Sequence, residues 1–363
     1  MEQVDKLMKQ ALHDNVFPGG VLLVSKQGSV VFFEAYGYAN IFSKCKMTKH
    51  TIFDLASLTK PIATALAVIM LIQQGKLDIE QSIGSVLPVF KKTEKEQIKI
   101  KHLLTHNSGY PDHRPYYEQL RLLPTDTRKS ALREFLVKEP LVYSTGDKTI
   151  YSDLGFMVLE WIIETVSGKR LDHFADENIY KPLGLEKLFF AETSEFQKAS
   201  EIQKFQGKFA ATELCPWRNI LLDGQVHDDN AYAAGGIQGH AGLFGTAGDV
   251  CILLSELLAN FYGHSSKGLF NKDILKIFFE QQGNTGRTLG FDLPSPSESA
   301  SGSYFSKKTV GHLGFTGTSF WMDLERNIYV ILLTNRVHPS RNNIKIKAFR
   351  PKLHDAVMKI IAT

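Results

Sequence analysis

The chain has 363 residues, 42 Lys and Arg against 38 Asp and Glu, and three cysteines. Its net charge of +4 is spread along the sequence with no basic stripe and no interleaved aromatics, which argues against a nucleic-acid partner. The length suffices to bury a large core in one domain or two. Cys45, Cys215 and Cys251 are odd in number and lack metal-like spacing, so they fit free thiols in a reducing compartment.

Met1–Leu12 is an amphipathic helix without the apolar segment of a signal peptide, and no run approaches ~18 uninterrupted apolar residues, so a cytoplasmic protein with no membrane span is expected. Pro18-Gly-Gly20 breaks the pattern. Val21–Val24 and Val30–Tyr36 then read as strands around a turn at Lys26-Gln-Gly28. Asp54-Leu-Ala-Ser-Leu-Thr-Lys-Pro61 leads into the apolar run Ile62–Ile72, which ends at Gly75 and predicts a buried helix starting near Ser57. Pro61 is tolerated there because a first turn has no acceptor for its missing N–H. Ile98–His106 leads into a turn at Asn107–Pro111, and Leu154–Gly168 is a strong helix with a glycine stop. An irregular stretch carries His227-Asp-Asp-Asn230 and Gly235–Gly242, and Val250–Tyr262 is helical again. The tail returns to strands, with Thr288–Asp292 before a Pro/Ser/Gly loop, then Thr318–Asp323 and Ile328–Thr334. A last helix runs from about Pro351 to Ile361. Strands at both ends with helices between predict an α+β fold. One antiparallel sheet would come from residues 1–55 and 285–363, flanked by the terminal helices, with 56–284 inserted as a mainly helical domain.

Ser57 and Lys60 are three apart and share one helical face. A serine hydroxyl becomes a nucleophile only when a base takes its proton, and a lysine serves as that base only if its pKa is lowered toward neutrality. The pattern Ser-x-x-Lys arises by chance roughly once in a chain of this size, given average composition, and a second copy, Ser43-Lys-Cys-Lys46, lies in a short polar connection with no helix behind it. Serine–lysine chemistry needs a further proton shuttle and donors for a developing oxyanion. Three Tyr-x-Asn/Asp elements exist, at Tyr38, Tyr110 and Tyr151, and Tyr151-Ser-Asp153 is preferred because it precedes a strong helix. For the third element Gly311-His-Leu-Gly-Phe-Thr-Gly317 is preferred over Lys26-Gln-Gly28 and His240-Ala-Gly242. It runs into the C-terminal strands and puts His312 and the Phe315 N–H on the sheet edge. His102 and His106 have metal-like i, i+4 spacing but no third ligand, so no metal is expected, and they read as surface or cleft-wall histidines. No Gly-x-Ser-x-Gly elbow is present.

With these elements in this order, the sequence resembles the serine β-lactamase and penicillin-binding-protein superfamily, specifically the class C-like serine hydrolases and family VIII esterases. The likeness also runs through Phe17-Pro-Gly-Gly20, His102–Gly109, Pro182-Leu-Gly-Leu185, His227–Ala231 and Gly239–Phe244. It implies Ser57 as acylated nucleophile, Lys60 as its base partner, Tyr151 as proton shuttle, and an oxyanion hole from the N–H groups of Ser57 and Phe315. The site would lie in the cleft between sheet and helical domain, with no cofactor and a small ester, amide or lactam as substrate. His312 joins the catalytic set, and Asp153, Gly314, Thr316 and Tyr110 the substrate-binding one. Two departures stand out. Asp153 replaces the Asn of the class C pattern, and an ionised carboxylate cannot donate a hydrogen bond. His312-Leu313-Gly314 replaces Lys-Thr-Gly, putting a partly charged group where β-lactamases hold the substrate carboxylate, a loss of ~1.5–3 kcal/mol. An esterase or amidase is therefore expected ahead of a β-lactamase or D-Ala peptidase, and ahead of a scaffold or binding protein that merely keeps the fold. Thr316 and Thr318 offer replacement hydroxyls. His227, Asp228, Asn230 and His240 are expected to line or brace the cleft.

Overall fold

The computed structural model describes residues 1–193, 205 and 207–362. Helix α1 (Glu2–His13) buries Val4, Met8 and Ala11 along one stripe and leaves its charges in water. Strands β1 (Gly19–Lys26) and β2 (Ser29–Asn40) form a hairpin, because Gln27 and Gly28 both adopt the positive φ that reverses a chain in two residues. The short β3 (Cys45–Lys46) extends that edge. From the far end of the chain come β4 (Thr309–Leu313), β5 (Ser319–Asp323) and β6 (Ile328–Thr334). The six lie in the order β3-β2-β1-β6-β5-β4, every neighbour antiparallel.

The two ends of the chain meet at the sheet centre, where Leu22 of β1 faces Leu332 of β6. Successive side chains point to opposite faces, so Leu22 and Val24 join one apolar cluster and Val21 and Leu23 another. The first cluster packs against α1 and helix α5 (Ile346–Ile361). The second packs against the helical body, which contains α2 (Leu66–Gln73), α3 (Asp153–Ser167) and α4 (Ala247–Tyr262). With helices on both faces, β1 reads as one continuous apolar run rather than an alternating one.

Two elements differ from expectation. Helix α5 starts at Ile346, well before Pro351, because Ile346 and Phe349 continue the apolar stripe of Leu353 and Val357, and that burial outweighs the one N–H the proline lacks. Thr288–Asp292 is not a strand and makes only isolated bridges at its ends. Gly290 holds a φ of +86° and presses against Ala65, whose side chain would lie 2.6 Å from an added Cβ. A small ladder joins Phe53–Asp54, Leu243–Gly245 and Leu188–Phe190, tying the segment before Ser57 to the loop that carries His240. The stretch Ala56–Gln73 is long and apolar enough to cross a membrane, but 83% of it is buried inside the protein.

Candidate active site

Ser57 sits in a 3-10 turn (Ala56–Leu58) immediately before a π-helical turn (Lys60–Ala65) that contains Pro61 and runs on into α2. Ala56 has φ +49°, a left-handed backbone that costs an alanine ~1–2 kcal/mol. Buried Asp54 holds it there: one carboxylate oxygen accepts the Ala56 N–H at 2.8 Å and the other the His227 N–H at 2.6 Å. The kink turns Ser57 toward a cleft of about 360 Å³ that is also lined by His113, Tyr151, Asp153, Asp228 and Phe315.

Lys60 is fully buried. Its Nζ donates to Ser57 Oγ at 3.1 Å, to Asp153 Oδ1 at 2.7 Å and to the His240 carbonyl at 3.1 Å. A lysine base would need a lowered pKa, and in the resting site the surroundings act in the other direction. Burial alone pulls the pKa down, but the Asp153 carboxylate and then Tyr151 outweigh it and hold Lys60 above its ordinary 10.5. Burial likewise pushes Asp153 up, yet Lys60 wins and keeps that carboxyl below 3.8. The two are an ion pair at rest.

Tyr151 precedes α3, whose N-cap Ser152 accepts the Gly155 N–H at 3.3 Å and donates to the Pro111 carbonyl at 2.6 Å. The Ser152 N–H bonds His106 Nδ1 at 3.0 Å, and the His106 ring lies 4.5 Å from the Tyr151 ring. His106 is thus a buried brace under the phenol rather than a surface histidine. His102 Nδ1 accepts the Lys99 N–H at 3.1 Å, so each member of the supposed metal pair spends a nitrogen on backbone. Burial raises Tyr151 above its ordinary 10.0, opposed by the attraction of Lys60 and by hydrogen bonding to Lys60 and Ser57. Lys60 Nζ lies 4.8 Å and the Arg287 guanidinium 5.3 Å from the phenol ring centre.

His312 lies 6.0 Å from the Tyr151 ring, centre to centre, on edge strand β4. It is 1% exposed, and burial, helped by Lys60, pushes its pKa down to about 4, so the partly charged group expected at this position is a neutral imidazole. Its Nδ1 faces the Leu313 carbonyl at 2.9 Å and must carry the proton, because a carbonyl only accepts. The Nε2 lone pair is buried without a partner among the described residues.

The turn after β4 is clamped onto the serine segment. Thr316 Oγ1 donates to the Asp54 carbonyl at 2.8 Å and Thr318 Oγ1 to the Leu55 carbonyl at 3.0 Å. An added Cβ on Gly314 would meet Thr318 Oγ1 at 2.0 Å and the Leu55 carbonyl at 2.7 Å, so this position admits only glycine. The N–H groups of Ser57 and Phe315 find no backbone acceptor among the described residues. The expectation that Thr316 and Gly314 touch substrate is corrected: both are spent holding the turn. Tyr110 is likewise no cleft wall, being wholly buried with its hydroxyl donated to the Leu136 carbonyl at 2.8 Å.

Some residues of the site carry no local sequence signal. Arg287 reaches Tyr151 from an irregular segment and is held by Asp292. His113 lies 3.9 Å from Asp153 Oδ2, which raises its pKa. Of the four undecided residues, Asp228 and His227 line the cleft, while His240 bonds Asp228 at 3.0 Å and Asn230 bonds the backbone of Arg114 and Tyr117.

The chain matches the family model described as Beta-lactamase over residues 4–350. It belongs to the β-lactamase family. Over 368 aligned residues this family member is 34% identical to the N-acetylmuramyl-L-alanine amidase of Bacillus subtilis (strain 168), covering 93% of this chain and 81% of that one. Among solved structures it is similar to EstCE1, a hydrolase with promiscuous acyltransferase activity, at 22% identity and TM-score 0.74 over 96% of this chain and 98% of that one. The octameric penicillin-binding protein homologue from Pyrococcus abyssi gives 22% and 0.72 over 97% and 77%. The β-lactamase fold places the Ser57, Tyr151 and His312 segments around one cleft, and the family's hydrolases are of the serine β-lactamase and penicillin-binding-protein type.

Proposed function

We propose that this protein hydrolyses small esters or amides through an acyl-Ser57 intermediate. The observation that carries this is the contact of Ser57 Oγ with a buried ammonium that Asp153 holds charged, beside the Tyr151 phenol. Ser57 Oγ attacks the acyl carbon while its proton passes to Tyr151 Oη and the phenol's own proton passes to the departing alcohol oxygen or amine nitrogen. The oxyanion forms against the free N–H groups of Ser57 and Phe315, and Lys60 stabilises the alkoxide as it develops. On collapse the protonated alcohol or amine leaves, and water then attacks the acyl carbon, its proton passing through Tyr151 back to Ser57 Oγ as the acid is released. The relative named an amidase and the neighbour titled a hydrolase with promiscuous acyltransferase activity are in keeping with acyl transfer, and a 33% identical relative from Escherichia coli is named a putative D-alanyl-D-alanine carboxypeptidase.

A terminal carboxylate on the substrate has little to bind. His312 is neutral, and Arg341, the guanidinium at the cleft, is engaged by Glu213 and Asp229. Ester or amide substrates without that group are favoured over β-lactams and D-Ala peptides. Intact mass after exposure to p-nitrophenyl acetate and, separately, nitrocefin checks this. An acetyl adduct mapping to Ser57 and a much slower β-lactam adduct are expected, whereas no acyl group on Ser57 from either reagent sinks the proposal.

Because burial holds His312 neutral down to about pH 4, its charging beside Tyr151 should leave kcat/KM level from pH 7 downward until pH approaches about 4. An acid limb centred near 6.5 instead would show that a histidine of ordinary pKa limits the reaction.

A further inference from the structure

The Phe315 N–H belongs to the peptide unit whose carbonyl is that of Gly314, and behind that carbonyl lies Arg350 of helix α5. Arg350 Nη2 donates to the Gly314 oxygen at 3.2 Å and to the Thr318 oxygen at 2.8 Å. The same two oxygens close the turn, accepting the Gly317 N–H at 3.1 Å and the Gly314 N–H at 2.7 Å. The next carbonyl, that of Phe315, is taken by Arg336 Nε at 2.8 Å, with the Arg336 guanidinium stacked 4.5 Å from the Phe315 ring centre.

Arg350 is 6% exposed and its Nε has no acceptor among the described residues. Among the described residues no carboxylate pairs with it. Burial, and after it the charge of Arg336, depresses the pKa to about 9, which leaves Arg350 a cation at neutral pH. A buried guanidinium answered only by carbonyls is expensive to keep. A neutral donor could satisfy the same two oxygens, so the positive charge is what distinguishes this choice.

We propose that Arg350 is a positioning residue of the oxyanion hole: bound to the Gly314 carbonyl, it fixes the peptide plane and draws electron density along it, making the Phe315 N–H a stronger donor. This rests on the proposed acyl-Ser57 chemistry. Deleting an oxyanion donor outright costs ~10²–10³-fold in rate, and weakening one that remains should cost a fraction of that, about tenfold.

The test is kcat and KM on a p-nitrophenyl ester for the full chain and its Arg350→Met, Arg350→Gln and Arg350→Lys variants, with inhibition by phenylboronic acid, whose tetrahedral adduct on Ser57 presents an oxygen to the same hole. Gln can keep a bond to the Gly314 carbonyl without the charge, and it serves alone where Met does not fold. Expected are equal losses of about tenfold in kcat/KM and boronate affinity for the neutral variants, with KM nearly unchanged, and near-complete retention in Arg350→Lys. A folded neutral variant with wild-type kcat/KM overturns the inference. So does a rate loss without a matching loss of boronate affinity, or an Arg350→Lys as damaged as Arg350→Met. Failure of the wild type to acylate at Ser57 would instead sink the underlying chemistry.

Discussion

Replacing Ser57 with alanine should lower ester hydrolysis by about 10⁴-fold or more, on the scale seen when a serine hydrolase loses its nucleophile. The fold should hardly notice. Ser57 is only partly buried, the left-handed Ala56 is held by Asp54 rather than by the serine, and Lys60 keeps Asp153 and the His240 carbonyl as acceptors. Activity lost at an unchanged Tm is therefore the expected pair of results from a p-nitrophenyl acetate assay and a thermal melt. Retained turnover would remove Ser57 from the chemistry. The alternative Ser43 is a poor substitute, since it is exposed and Lys46 stacks 4.0 Å over the Tyr38 ring instead of reaching toward it.

Lys60→Met should damage both activity and stability. Without the ammonium, the alkoxide at Ser57 loses its charged donor, for which about 10²–10³-fold in kcat/KM is expected. The fold is left with a mostly covered Asp153 whose remaining partner is His113, 3.9 Å away, and breaking a buried ion pair from one side costs up to about 3–5 kcal/mol. The pH dependence has a definite sign. Lys60 has its folded pKa above 10.5, so its stabilisation is complete below that value and is lost as pH rises through the folded pKa. Asp153 has its folded pKa below 3.8, so its stabilisation is complete above 3.8 and is lost as pH falls through the folded pKa. Between about pH 4 and 10 the wild type holds the full benefit. In Lys60→Met only His113 and His240 still oppose the effect of burial on Asp153, so its pKa rises from the wild-type position and the stability gap should narrow on acidification as the carboxyl protonates. Adding Asp153→Asn to Lys60→Met should recover much of the lost Tm without recovering activity. Denaturant melts at pH 4.5 and 7.5 read this directly, and a gap independent of pH would show that the pair is not what the mutation breaks.

The sequence carried the sheet well because its period-2 apolar runs lie at both ends of the chain, where each strand needs only its neighbours to be recognised. It carried the trio of Ser57, Tyr151 and His312 because each sits in a short stretch whose spacing has a chemical meaning. What stayed hidden were charge states. Whether Lys60 is an amine or an ammonium depends on Asp153, which is 93 residues away and 2.7 Å distant. Whether His312 is charged depends on how completely β4 is covered. Tyr110 and Thr316 were misjudged for a related reason: a residue type names the bonds a side chain can make, and only packing decides whether substrate or backbone receives them. Arg287 and Arg350 had no periodic context to mark them at all.

The strand order has a consequence for how such an enzyme comes into being. The turn bearing Phe315 and the strand that seats β1 leave the ribosome more than 250 residues after Ser57 (315 − 57 = 258). Until those segments have been made, the nucleophile lacks the Phe315 donor and a completed sheet beneath it. A chain that stops short of those segments should therefore be inert at Ser57.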